Sequence, residues 1–111
     1  RGSADTYAPY DLASLAASGS GISMLLDWTT AAEKDLAAWN IYRSETPAGP
    51  FTRLNSVAVP AVGDSVSDTG YIFVDDYVHP GRRYYYLLEG LTRPGLPQRS
   101  HVVSGRIPPA R

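Results

Sequence analysis

The stretch YIFVDDYVHPGRRYYYLLEGL, residues 71–91, reads as a strand, a tight corner at His79-Pro80-Gly81, and a second strand opening on three tyrosines. Side chains alternate across a strand, so Tyr84, Tyr86 and Leu88 share one face while Tyr85, Leu87 and Glu89 share the other. A run apolar on both faces suits a central strand, covered on at least one side. The stretch names an architecture, but no ligand and no reaction.

The same period of two recurs on either side of it. Ile22, Met24, Leu26 and Trp28 fall on one face of a short segment, with Ser23 and Asp27 on the other, which marks a half-buried strand. Over residues 38–43, Trp39 and Ile41 alternate with Asn40 and Tyr42. Further short strands are expected at 12–17, 51–59 and 100–107, the last stopped by Pro108-Pro109. The turn signals between them are SGSG at 18–21, PAGP at 47–50 and RPG at 93–95. Residues 60–70, rich in Gly, Asp and Ser, are the longest irregular stretch. Thr30-Ala31-Ala32-Glu33 matches a capping box and predicts one or two helical turns over 31–37. Seven short strands without strand–helix alternation predict an all-β, seven-stranded antiparallel β-sandwich.

A chain of 111 residues is one domain's worth and buries about 65% of its unfolded surface without staples. Apolar residues at 43% and charged residues at 19% describe an ordinary globular domain rather than a disordered tail. A net charge of −1 argues against nucleic acid or an anionic membrane as partner. The chain has no cysteine, hence no disulfide framework, no thiolate nucleophile and no zinc-thiolate site. No apolar run approaches the roughly 18 residues of a membrane span. The opening Arg1-Gly2-Ser3, without an initiator methionine, is expected of a piece of a longer protein carrying a cloning remnant. Residues 1–8 are expected to be a tail or linker, 9–108 the domain, and 109–111 a second tail.

The motifs taken together resemble a fibronectin type III module. That family has an inward tryptophan ending its second strand, matched by Leu26-Asp27-Trp28, and an aromatic-x-aliphatic pair on its third, matched by Trp39-Asn40-Ile41. It also has an aspartate before an aliphatic-x-Pro-Gly corner and a tyrosine-rich strand. Asp75, Val78-His79-Pro80-Gly81 and Tyr84-Tyr85-Tyr86 match these, and the likeness runs from about Leu12 to Ile107. The phrases WTTAAE at 28–33, WNIYRSETPAGPFTRLNS at 39–56 and YYYLLEGL are similar to modules near the C-termini of secreted and surface-attached bacterial proteins. The resemblance implies a non-catalytic accessory module, extracellular or at the cell surface, acting as spacer, stabiliser or binder. It assigns Tyr84 to a tyrosine corner whose hydroxyl returns to a nearby backbone group. Asp75 receives hydrogen bonds at the approach to that corner. Trp28, Trp39, Ile41, Tyr86 and Leu88 meet between the sheets, and all of these are folding residues.

Catalytic constellations are poor. His79 and His101 have no serine or carboxylate at triad spacing, and solvent-exposed histidines are the simpler reading. Asp64, Asp68, Asp75 and Asp76 concentrate acid near 60–76, but their spacing fits no calcium loop, so neither metal nor cofactor is expected. Arginines 82, 83, 93, 99 and 106 are read as guards of sheet edges rather than as an anion site. Arg93-Pro94-Gly95 stands where some type III modules carry Arg-Gly-Asp, yet its aspartate and residue order are missing.

The candidate binding patch is aromatic and outward. With Trp39 and Ile41 facing the core, Tyr42 points away from it, as do Tyr85, Leu87 and Leu91. On neighbouring strands these four side chains would form one exposed apolar surface. Contact with a neighbouring domain or another surface protein is the preferred reading. The alternative is a polysaccharide stacked on the tyrosines.

Overall fold

The computed structural model describes residues 9–110. The tail expected at 1–8, and residue 111 of the second tail, lie outside the described residues. Among the described residues the chain forms β1 (Tyr10–Ser20), β2 (Ser23–Glu33), β3 (Leu36–Ser44), β4 (Thr52–Arg53), β5 (Val59–Pro60), β6 (Thr69–Asp75), β7 (Arg83–Thr92), β8 (Pro97–Arg99) and β9 (Val103–Arg106). One sheet runs β1-β2-β6. The other runs β4-β3-β7-β8, with β5 also on β3 and β9 also on β7. All pairings are antiparallel. This is the all-β sandwich expected from the sequence, and its strands arise where apolar and polar residues alternate.

Two expected strands differ from the sequence reading. In place of a strand at 51–59, β4 and β5 both pair with β3, and the gap between them is bridged by a side chain. Asn55 Oδ1 accepts the Ile41 N–H at 2.8 Å while its Nδ2 donates to the Trp39 carbonyl at 3.1 Å, reproducing a strand's ladder bonds. The last strand, expected at 100–107, is shortened to β9, and β8, ahead of that range, also pairs with β7. Across the break between them the Ser100 hydroxyl accepts the Leu88 N–H at 2.9 Å. Both breaks sit at sheet edges, where only one side of the backbone needs a partner. Counted as edge positions, β4 with β5 and β8 with β9 return the seven of the expected sandwich.

The helical turn expected at 31–37 does not form. Thr30 and Glu33 do bond, hydroxyl to carboxylate at 2.8 Å, but in the extended chain. The backbone there is already committed to β1, with Leu12 opposite Thr30, Asp11 opposite Ala32 and Tyr10 opposite Glu33. Lys34 and Asp35 then turn the chain directly into β3. Asp35 takes a φ of 54°, a conformation that asparagine and aspartate tolerate best among residues with a Cβ. Ile22, expected in line with Met24, Leu26 and Trp28, lies instead in the β1–β2 turn and is 75% exposed.

Met24, Leu26, Trp28, Leu36, Trp39, Ile41, Tyr84, Tyr86, Leu88 and Ile107 are buried together between the sheets. Trp28 stacks on Tyr71 at 5.5 Å and meets Trp39 edge-on at 5.7 Å, while Tyr10 tilts against Trp39 at 4.7 Å. The Tyr10 ring fits because residue 90 is glycine; a Cβ there would stand 2.7 Å from the ring. Beside β9 the sheets close equally tightly, since a Cβ on Gly105 would meet the Met24 sulfur at 2.6 Å.

Two buried carboxylates hold the β2–β6 ladder to the rest. Asp75, 2% exposed, accepts from Arg43 Nη1 at 2.8 Å, the Tyr86 hydroxyl at 2.8 Å and the Tyr77 N–H at 3.1 Å. At the other end Glu33 accepts from the Thr30 hydroxyl, the Gly63 N–H and the Tyr71 hydroxyl. The Tyr84 oxygen accepts the His79 N–H at 2.9 Å, so the tyrosine corner closes over Pro80-Gly81. Burial, then the Asp75 carboxylate, push the Tyr86 phenol well above its ordinary value. Burial pushes Tyr10 up to about 12.

Three outcomes follow from this packing. Leu88→Ala is expected to cost about 2–5 kcal/mol in chemical denaturation, the usual range for truncating a buried leucine. Asp75→Ala removes the acceptor from Arg43 and Tyr86 together, and about 3–5 kcal/mol is expected by the same measurement. Tyr10 and Tyr86 hold their protons more tightly folded than unfolded, so their contribution is complete below the ordinary phenol pKa. The thermal midpoint should therefore fall as pH rises from 10.0 towards about 12. Tyr10→Phe should flatten that fall, and an unchanged slope would contradict the assignment.

Candidate interaction surfaces

The four residues of the expected patch lie on two adjacent strands. β3 lies beside β7, with Tyr42 opposite Leu87, Ser44 opposite Tyr85 and Ala38 opposite Leu91. They do not, however, form an open apolar face. Leu87 is only 6% exposed, and Tyr42, Tyr85 and Leu91 are half-buried. The cover comes from β8, whose pairing to β7 places Arg99 opposite Glu89. The Arg99 guanidinium lies 4.6 Å above the Tyr42 ring, with its Nε 3.5 Å from Glu89 Oε2. The Tyr42 hydroxyl donates to Glu89 Oε1 at 3.0 Å, and Asn40 Nδ2 reaches the same oxygen at 3.4 Å. A polar network thus roofs the strip, because a buried carboxylate collects every donor in reach.

On strands, the exposed large apolar residues are Leu25, Ile72 and Val74, all on the opposite sheet. Along β6 the inward residues are Tyr71, Phe73 and Asp75; Ile72 and Val74 point outward and are 68% and 47% exposed. Leu25 on β2 is the register partner of Val74 and continues the patch. Val62, Val66 and Tyr77, in the segments leading into and out of β6, are also exposed. Alternation already places Ile72 and Val74 on one face of the strand, but it does not show that this face stays open while the β3–β7 face is covered.

The remaining candidates resolve into structural pairs. Arg93 bridges Asp35 at 2.8 Å and Asp64 at 2.9 Å, joining three loops. The Asp35 N–H, then Arg93, hold the Asp64 carboxyl below its ordinary value. Arg82 pairs with Glu45 at 3.1 Å, and Arg83 donates to the Ser104 hydroxyl. Asp75 is spent on Arg43, so the acids of 64–76 do not converge. Among the described residues no group of three or more His, Cys, Asp or Glu is placed to hold a metal ion. His79 and His101 are both exposed. A groove of about 560 Å³ opens beside Pro9, Tyr10, Ala32, Ser65 and Val66. Its buried acid, Glu33, already has three donors.

Asn55, Glu33, Glu89, Arg43 and Arg99 are the polar residues that organise these surfaces, and of them only Glu33, by its spacing from Thr30, and Arg99, as a guard of a sheet edge, stand out in the sequence. Each acts across strands.

No family model matches the chain, and no curated protein matches it. Solved structures do share its fold. A Fn3-like protein from Clostridium thermocellum superposes with a TM-score of 0.66 at 22% identity, over 95% of this chain and 99% of that one. A pectate lyase from Erwinia chrysanthemi, solved with tetragalacturonic acid, gives 0.62 at 22% identity, over 82% of this chain and 27% of the lyase. A beta-1,2-glucanase from Parabacteroides distasonis gives 0.64 at 14% identity, over 94% of this chain and 14% of the glucanase. The fold is therefore that of a fibronectin type III-like sandwich.

Removing the roof should open the β3–β7 face. Arg99→Ala is expected to change stability by no more than about 1 kcal/mol, the size of an exposed cation–π contact. It should make the Tyr42 ring accessible to a photoexcited dye in photo-CIDNP NMR. An unchanged Tyr42 signal would mean that the guanidinium does not cover the ring.

Proposed function

We propose that this fibronectin type III-like sandwich is a non-catalytic structural and docking module of a larger secreted or cell-surface protein, and that it docks through the outer face of β6 and β2. One observation carries the reading. The buried carboxylates Glu33, Asp75 and Glu89 each bind several donors of the chain itself, while Leu25, Ile72 and Val74 are left to solvent. Polar groups spent on the fold are unavailable for chemistry, and exposed neighbouring apolar side chains, here Val74 opposite Leu25 and Ile72 opposite Asp27, mark a surface that meets another protein.

The fold comparisons support the setting. In the pectate lyase and the glucanase, a sandwich like this one covers 27% and 14% of the chain. Such a module attached to a secreted bacterial enzyme would serve as spacer and stabiliser, its apolar face resting on a neighbour. The β3–β7 face supports a polysaccharide less well. Its Leu87 is covered, and one face of the Tyr42 ring already carries Arg99.

Two experiments on the 111-residue chain and its parent protein test this. Hydrogen exchange at 72–74 should be slower in the parent than in the isolated chain held dilute enough to be monomeric. Equal exchange in both would overturn docking through this face. An NMR titration with bacterial and plant polysaccharides should leave the spectrum unchanged. Saturable shifts centred on Tyr42 and Tyr85 would replace the docking reading with glycan binding.

A further inference from the structure

We infer that β6 is a self-pairing edge, and that two copies of this chain join β6 to β6 antiparallel, about a two-fold axis through Phe73, into one continuous six-stranded sheet. The inference rests on the docking reading only in using the same surface; the occupant is now a second copy.

Among the described residues β6 has β2 as its only strand neighbour, so its other backbone edge is unpaired. Exposed edges are normally blunted by lysine, proline, a bulge, a covering loop or an inward-pointing charge, and the one inward charge of β6, Asp75, is already neutralised within the fold by Arg43. The sequence Thr69-Gly-Tyr-Ile-Phe-Val-Asp75 has neither lysine nor proline, and its register with β2 runs without a shift. By contrast the opposite lateral side is closed, where Gly105 lets β9 approach β1 and Met24. On the β6 side the facing positions are the two-residue strands β4 and β5. Leu54, Val59, Tyr71 and Phe73 are there only partly buried.

Sequence chooses the partner and the register. Pairing about Phe73 sets Ile72 opposite the partner's Val74 twice, Phe73 opposite the partner's Phe73, and Gly70 opposite the partner's Asp76. No acid then faces an acid. Sliding the axis to Ile72 would set Asp68 against the partner's Asp76 at both ends, and like charges directly opposite are unfavourable. Sliding it to Tyr71 would set Asp68 against the partner's Val74. Only the Phe73 axis matches apolar with apolar along the exposed stripe, and it merges the two Leu25–Val74–Ile72 patches into one.

The absence of cysteine makes the test direct. Mixing Ile72→Cys chains with Val74→Cys chains under mild oxidation should give the mixed disulfide in excess of either homodimer, since directly opposed Cβ atoms lie within bonding reach. Sedimentation of the unmodified chain should show mass approaching twice the monomer as concentration rises. Ile72→Lys should weaken that association more than about tenfold, while Ile22→Lys, in the distant β1–β2 turn, should leave it unchanged. Near-UV circular dichroism checks that both variants fold. A monomer at millimolar concentration, an excess of the 72–72 disulfide, or equal loss in both lysine variants would overturn the inference. A monomer whose residues 72–74 are still protected in the parent protein would leave docking standing and remove only the self-pairing.

Discussion

A buried carboxylate with too few partners would unravel this sandwich, and Asp75 is where that constraint is met. It lies at the end of β6, opposite Met24, in one sheet. Its donors Arg43 and Tyr86 stand on β3 and β7 of the other, and the Tyr77 N–H begins the crossing between them. A charge removed from water must find compensation in fixed directions. Those directions set how the sheets face each other at this end, and Tyr84 can then close the corner against His79.

Glu33 plays the matching part at the opposite end of the β2–β6 ladder. By gathering Thr30, Tyr71 and Gly63 it ties β2, β6 and the loop before β6 around the Trp28–Tyr71 stack. The aromatic rings supply the non-directional burial, and the two acids supply its orientation. What is left outside this arrangement is an edge, because β6 has given one side of its backbone to β2 and its inward residues to the core.

Core and surface differed in how readily they could be read. Periodicity identified Met24, Leu26, Trp28, Trp39, Ile41, Tyr84, Tyr86 and Leu88, since burial on one side of a strand leaves a period of two in the residues themselves. The capping-box spacing misled at Thr30–Glu33, where a bond compatible with a helix start was made in extended chain. There the sheet had already taken the backbone bonds that a helix would have needed.

The sequence by itself determined most of the strands, the corner at Pro80-Gly81 and, Ile22 apart, the side of those strands that enters the core. These depend on neighbours one and two residues away. Tertiary structure alone decided which outer face stays open. Tyr42, Leu87 and Ile72 look alike as outward apolar residues, but Arg99, 57 positions beyond Tyr42 in the chain, is carried by the β7–β8 pairing onto the Tyr42 ring. Among the described residues nothing is carried over Ile72, because β6 ends its sheet. Exposure is set by what crosses a residue from distant parts of the chain, and that has no period to leave in the sequence.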